Sequence, residues 1–106
     1  ESWVKETNVI KVKTRRLDSV IKELGHKDID IMKIDIEHYT YEALESLGIY
    51  LRNVKVFHLE TEIDGVARNK NNVDVALFMQ ENGYRCAALE NEWGPEIQDQ
   101  VWIRND

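Results

Sequence analysis

Two apolar segments, Ile29 to Ile36 (IDIMKIDI) and Val54 to Ile63 (VKVFHLETEI), constrain this chain most. Each is rich in β-branched residues, ends in acid and is followed by helical spacing. IDIMKIDI carries apolar side chains on both faces, the pattern of a strand covered on both sides and hence of a central parallel strand. Helical spacing resumes through Tyr39, Ala43, Leu44 and Leu47, with Gly48 as its stop. It resumes again through Val73, Ala76, Leu77 and Phe78, behind a cap at Asn72 or its neighbour, and Gly83 ends it.

Upstream, Val9, Ile10 and Val12 between Lys11 and Lys13 read as a half-exposed edge strand within Trp3 to Lys13. Thr14 is expected to cap a helix with Leu17, Val20, Ile21 and Leu24 on one face, Asp18 in its first turn and Gly25 at its stop. Downstream, Tyr84 to Leu89 and Gln100 to Arg104 are two short strands joined by the turn-rich loop Glu90 to Asp99, which holds Trp93, Gly94 and Pro95. Alternation of strand and helix that ends in a direct strand-to-strand connection predicts an α/β fold. The expected architecture is a mostly parallel sheet flanked by helices, with a C-terminal antiparallel hairpin. With 106 residues and no linker or repeat, the chain is expected to be one soluble domain. Its 42% hydrophobic content excludes intrinsic disorder.

Charge narrows the function classes. Twenty acidic against 14 basic residues argue against a nucleic-acid partner, because phosphate-backbone affinity comes from clustered Lys and Arg. Only Lys11, Lys13, Arg15 and Arg16 gather, as a solvated strand edge and helix start. No stretch approaches the roughly 20 apolar residues of a membrane span, and no leader pattern opens the chain. The lone Cys86 suits a reducing, cytoplasmic compartment and is expected to be a buried structural thiol in a strand.

Ligands of open parallel sheets bind beyond the carboxyl ends of the strands, and both central segments end in acid: Asp35 and Glu37 on the first, Glu60 and Glu62 on the second. Residues two apart share a face, so Glu60 and Glu62 lie with His58, and Asp35 with Lys33. If the two strands are neighbours, four carboxylates and His38 converge on one rim. That rim suits a general base, a divalent-cation site or attraction of a positively charged cofactor. The plainer alternatives are that Glu37 and Glu42 only favour the dipole of the helix at Tyr39, and that His58 is a hydrogen-bonded core histidine. His26 is expected to be solvated in a turn. One Cys and three separated His offer no zinc spacing, and five Gly at 25, 48, 65, 83 and 94 form no phosphate-cradling loop.

Thr14 with Leu17-Asp18, then Lys33-Ile34-Asp35-Ile36-Glu37, Leu59-Glu60 and Gly83-Tyr84 carry a family pattern. Over about residues 9 to 104 the chain resembles the C-terminal half of the FkbM-type S-adenosylmethionine-dependent methyltransferases. The family's Gly after Glu37 is His38 here, and its Glu at the start of the next helix is Thr40. The resemblance implies half of a Rossmann-like class I methyltransferase fold, with the glycine-rich cofactor loop and the ribose-gripping acid upstream. It implies methyl transfer to a hydroxyl of a small-molecule acceptor, a sugar or secondary metabolite, with Asp35 near the cofactor and Glu37, His38 and Glu60 catalytic. A variant sets Mg²⁺ on Asp35, Glu60 and Glu62. The alternatives are a non-catalytic binding or assembly module, or an acidic divalent-cation-binding domain. A half-sheet would expose an unpaired flank, so a homodimer through that edge, or an unstable chain, is expected.

Overall fold

The computed structural model describes residues 15–25, 28–67, 70–91 and 94–106, so the expected first strand, Thr14, His26 and Trp93 lie outside the described residues. Helix α1, Leu17–Leu24, starts at Arg16 without a side-chain cap and ends at Gly25, whose left-handed φ of 72° lets its N–H reach the Ile21 and Lys22 carbonyls. Of its expected apolar face, Ile21 is buried and Leu24 is exposed. Strand β1 spans Ile29–Ile34, α2 spans Thr40–Ser46, and a 3₁₀ helix over Gly48–Asn53 leads directly into β2, Val54–Glu62.

Helix α3, Asn72–Glu81, is closed by reciprocal capping: the Asn71 side chain accepts from the Val73 and Asp74 N–H groups, and Asp74 accepts from the Asn71 N–H. Such a cap is worth about 1 kcal/mol. Its buried residues are Val75 and Met79, whereas Val73 and Leu77 of the expected stripe face solvent. Strands β3, Tyr84–Glu90, and β4, Ile97–Arg104, form the expected antiparallel hairpin.

The sheet has the order β1-β2-β4-β3, and this corrects the expectation of a mostly parallel sheet. Only β1 and β2 pair in parallel; β4 runs antiparallel to both β2 and β3. The strands β2 and β3, joined through α3, point the same way, but β4 is inserted between them. The side chains explain that choice. Gln100 and Trp102 of β4 are buried opposite Leu59 and Phe57, whereas β3, with Arg85, Cys86 and Ala87 exposed, suits an edge. Cys86 is accordingly exposed rather than a buried thiol.

One face of the sheet carries all the described helices. Ile34, Phe57, Leu59, Tyr84 and Trp102 form a single core with Ile21 of α1, Leu44 of α2, Leu47 beyond it, Leu51 of the 3₁₀ helix, and Val75 and Met79 of α3. Burial of each large apolar side chain contributes roughly 1.5–3 kcal/mol. The buried Trp102, Gln100 and Thr61 side chains of this layer are hydrogen-bonded. Trp102 Nε1 donates to Gln100 Oε1 at 2.8 Å, Gln100 Nε2 donates to the Asn72 carbonyl at 2.9 Å, and the Thr61 hydroxyl donates to the Gln98 carbonyl at 2.7 Å.

The opposite face is uncovered among the described residues, and Ile31 there is 63% exposed. Among the described residues β1 is therefore the edge of the sheet and covered on one side, where a central strand covered on both was expected. His58 belongs to this open face too, 3.9 Å from Asp99, and is not a core histidine.

Candidate functional site

The candidate residues gather where β1 and β2 end. The parallel register sets Ile34 beside Leu59, which brings Asp35, just past β1, next to Glu60 on β2. Beyond Asp35 the chain turns over the end of β2 through Glu37, His38 and Tyr39, closed by the Tyr39 N–H to the Ile36 carbonyl at 3.2 Å. His38 takes a φ of 65°, the left-handed conformation that glycine adopts without cost and histidine tolerates better than bulkier residues. The residue that anchors this turn was not singled out for a role in the sequence. Thr40 is buried, and its hydroxyl donates to the Glu60 carbonyl at 2.7 Å, tying the start of α2 to the strand that carries Glu60.

Glu60 has an unusual environment. Burial pushes its carboxyl up from 4.5 to about 7, helped by a hydrogen bond with Asp35 and by the negative charges of Asp35, Asp99 and Glu62. A hydrogen bond that raises the pKa is one in which protonated Glu60 donates to Asp35, so Glu60 keeps its proton up to near neutral pH. Asp99, opposite Glu60 on β4, completes this charge group. It was not foreseen; its only signal was an acid set directly before the expected strand Gln100 to Arg104.

Glu37, His38 and Glu62 meet in a second location. With Val66, Glu96 and Ile97 they line a recess of about 150 Å³ at the tip of β2. The turn after β2, held by Val66 and Ala67 N–H groups on the Ile63 carbonyl, helps to bury Glu62 to 5% exposure. The four strand-end acids thus lie at one end of the sheet, with Asp35 and Glu62 both acting on Glu60 and with Glu37 and Glu62 lining the recess. Among the described residues no three His, Cys, Asp or Glu side chains are assembled to hold a metal ion, so the Mg²⁺ set of Asp35, Glu60 and Glu62 does not fit.

Beside β1, among the described residues, lies an open groove of about 550 Å³. Leu17, Met32, Ile34, Ile36 and Ala43 make its apolar walls, and Lys33 and Asp35 are the charged residues of its lining. No described helix is long and apolar enough to cross a membrane. Searches of curated proteins and of solved structures returned no match. A family model described as the methyltransferase FkbM domain, in contrast, matches residues 1–86. That match takes in β1, β2 and the turn between β1 and α2, and on this ground the chain belongs to the FkbM methyltransferase family.

Proposed function

We propose that the protein transfers a methyl group from S-adenosylmethionine to a hydroxyl oxygen of a sugar or secondary metabolite, with the Asp35–Glu60 carboxyl pair as proton acceptor. The observation that carries this reading is the Glu60 carboxyl held at about 7 where two parallel strands end. A base is most effective when its pKa lies near the working pH. At neutral pH an appreciable share of the pair is ready to take a hydroxyl proton, and Asp35 receives the resulting Glu60 O–H as a hydrogen bond. Glu37 and His38, on the turn above, orient the acceptor.

The groove beside β1 offers the cofactor apolar wall for a flat ring, with Asp35 and Lys33 as the charged side chains of its lining. When bound there, the cofactor supplies an electrophilic methyl group. Ile36 and Met32 would exclude water from it, and Asp35 would orient it. Alignment of donor and acceptor lowers the barrier by several kcal/mol, roughly the scale of an effective-molarity gain.

The test is transfer of labelled methyl from S-adenosylmethionine to a panel of hydroxyl-bearing sugars. Glu60→Gln is expected to lower kcat by about 10²–10⁴-fold and to remove the limb of the pH–rate profile near 7. An unchanged rate and profile would overturn the role of the pair. A non-catalytic binding module is the second reading, favoured by His38 where the family pattern has Gly. It is supported if the wild type transfers no methyl to any acceptor in the panel.

A further inference from the structure

Where the pairing of β1 with β2 stops, one buried side chain holds the two segments together. The ladder ends at Ile34 beside Leu59, so past that point no pairing with β1 fixes Asp35 against Glu60. Thr40, at the start of α2, reaches the main chain on both sides of this gap. Its hydroxyl oxygen lies 2.7 Å from the Glu60 carbonyl and 3.5 Å from that of Ile36, the residue after Asp35. The shorter contact takes the hydroxyl proton, and only 3% of Thr40 is exposed. A buried bond of this kind is costly to break, since the carbonyl would lose its donor without gaining water. Thr40 lines neither the groove beside β1 nor the recess at the tip of β2, so it acts on the site through Glu60 rather than by touching a ligand there.

We infer that Thr40 is a positioning residue: its hydroxyl holds the Glu60 carboxyl within reach of Asp35 and so aligns the base for the acceptor's hydroxyl. The catalytic part of this role rests on the methyl-transfer reading; the hold on Glu60 does not. The hydrogen bond with Asp35 is one of the causes that keep the Glu60 carboxyl at about 7, and such a bond weakens steeply as its geometry opens. A displacement of about 1 Å also costs roughly 10²-fold in rate where reacting groups must stay aligned. Around Glu60 stand Lys33 on β1 and Asp35 at its end, Asp99 on β4, and His58 and Glu62 on β2. None of them changes when Thr40 is replaced, so a moved Glu60 midpoint reports geometry.

The experiment compares wild type with Thr40→Val and Thr40→Ser in two readouts: transfer of labelled methyl from S-adenosylmethionine, and a carbon-detected NMR titration of the Glu60 carboxyl. Val keeps the branched shape of Thr and removes its donor, whereas Ser keeps the donor. Thr40→Val is expected to lower kcat by about 10- to 100-fold with KM within about twofold of wild type. It is also expected to move the Glu60 midpoint down from about 7 toward 4.5, and Thr40→Ser to recover most of both. A Glu60 midpoint that stays at about 7 in Thr40→Val, or a Ser variant as impaired as Val, makes Thr40 a packing residue and overturns the inference. If Thr40→Val does not fold, Thr40→Ala against Thr40→Ser isolates the hydroxyl, and equal midpoints in that pair overturn it likewise. The two readings fail separately. If the wild type transfers no methyl to any acceptor while Thr40→Val moves the midpoint, the hold of Thr40 on Glu60 stands and the transferase reading falls. Transfer by the wild type with a midpoint unmoved by Thr40→Val gives the reverse.

Discussion

At the amino end of β2 the polar side chains are saturated by main-chain carbonyls, whereas at its carboxyl end acids face other acids. Tyr84 donates its hydroxyl to the Leu51 carbonyl at 2.8 Å and to that of Val54, and burial pushes the phenol up to about 12. Arg52 donates to the carbonyls of Asn82, Gly83 and Asn105, and Arg104 donates to that of Arg52 at 2.7 Å. Gly83 sits so close to this cluster that a Cβ there would collide with the Arg52 guanidinium. Tyr84, Arg52 and Arg104 at that end serve the fold. At the other end Asp35, Glu60, Asp99, Glu37, Glu62 and Glu96 crowd together, and their mutual repulsion is a cost that folding alone does not justify. One strand therefore has a structural end and a chemical end.

Substitutions can break that contrast. The largest stability effect is expected at the structural end, where Tyr84→Phe leaves buried carbonyls without their donor and lowers unfolding free energy by about 1–3 kcal/mol. Urea denaturation reads it, and a loss below about 0.5 kcal/mol would mean that the tether is not what holds that end. The smallest effect is expected at the chemical end. His38→Gly relieves the left-handed backbone but frees the unfolded chain, so unfolding free energy should change by less than about 1 kcal/mol. A thermal melt showing a loss beyond about 2 kcal/mol would make His38 a structural residue and blur the comparison.

Much of the fold was legible because its signals are local. The acid-ended apolar runs gave β1 and β2, Gly25 gave the stop of α1, and the asparagine pair before α3 gave its cap. What was not legible depends on contacts distant in sequence. The hairpin pattern does not say which of its strands lies next to β2, a matter settled by Trp102 and Gln100 fitting against Phe57 and Leu59. The open face of β1 was equally hidden, since Ile31 is apolar whether or not a helix covers it. At the site, acids at strand ends pointed to the right end of the sheet. Their arrangement follows from the turn at residues 37–39 and from Thr40, whose hydroxyl bond to the Glu60 carbonyl spans 20 residues. Asp99 and Glu96 come from β4 and the turn before it, so no motif links them to Asp35 or Glu62.

The central claim is that burial and Asp35 keep Glu60 protonated up to near neutral pH, and it has a thermodynamic consequence. A carboxyl raised from 4.5 to about 7 is protonated in the folded chain while it would ionise in the unfolded one. Its contribution to stability is complete below about 4.5 and is lost as pH rises through about 7, a decline that Glu60→Gln, which does not titrate, should lack. The most direct measurement is a carbon-detected NMR titration of the Glu60 side-chain carboxyl in the wild type and in Asp35→Asn. The account predicts a midpoint at about 7 in the wild type, moving down when Asp35 loses its charge. A Glu60 midpoint at the ordinary 4.5, unmoved by Asp35→Asn, would contradict it.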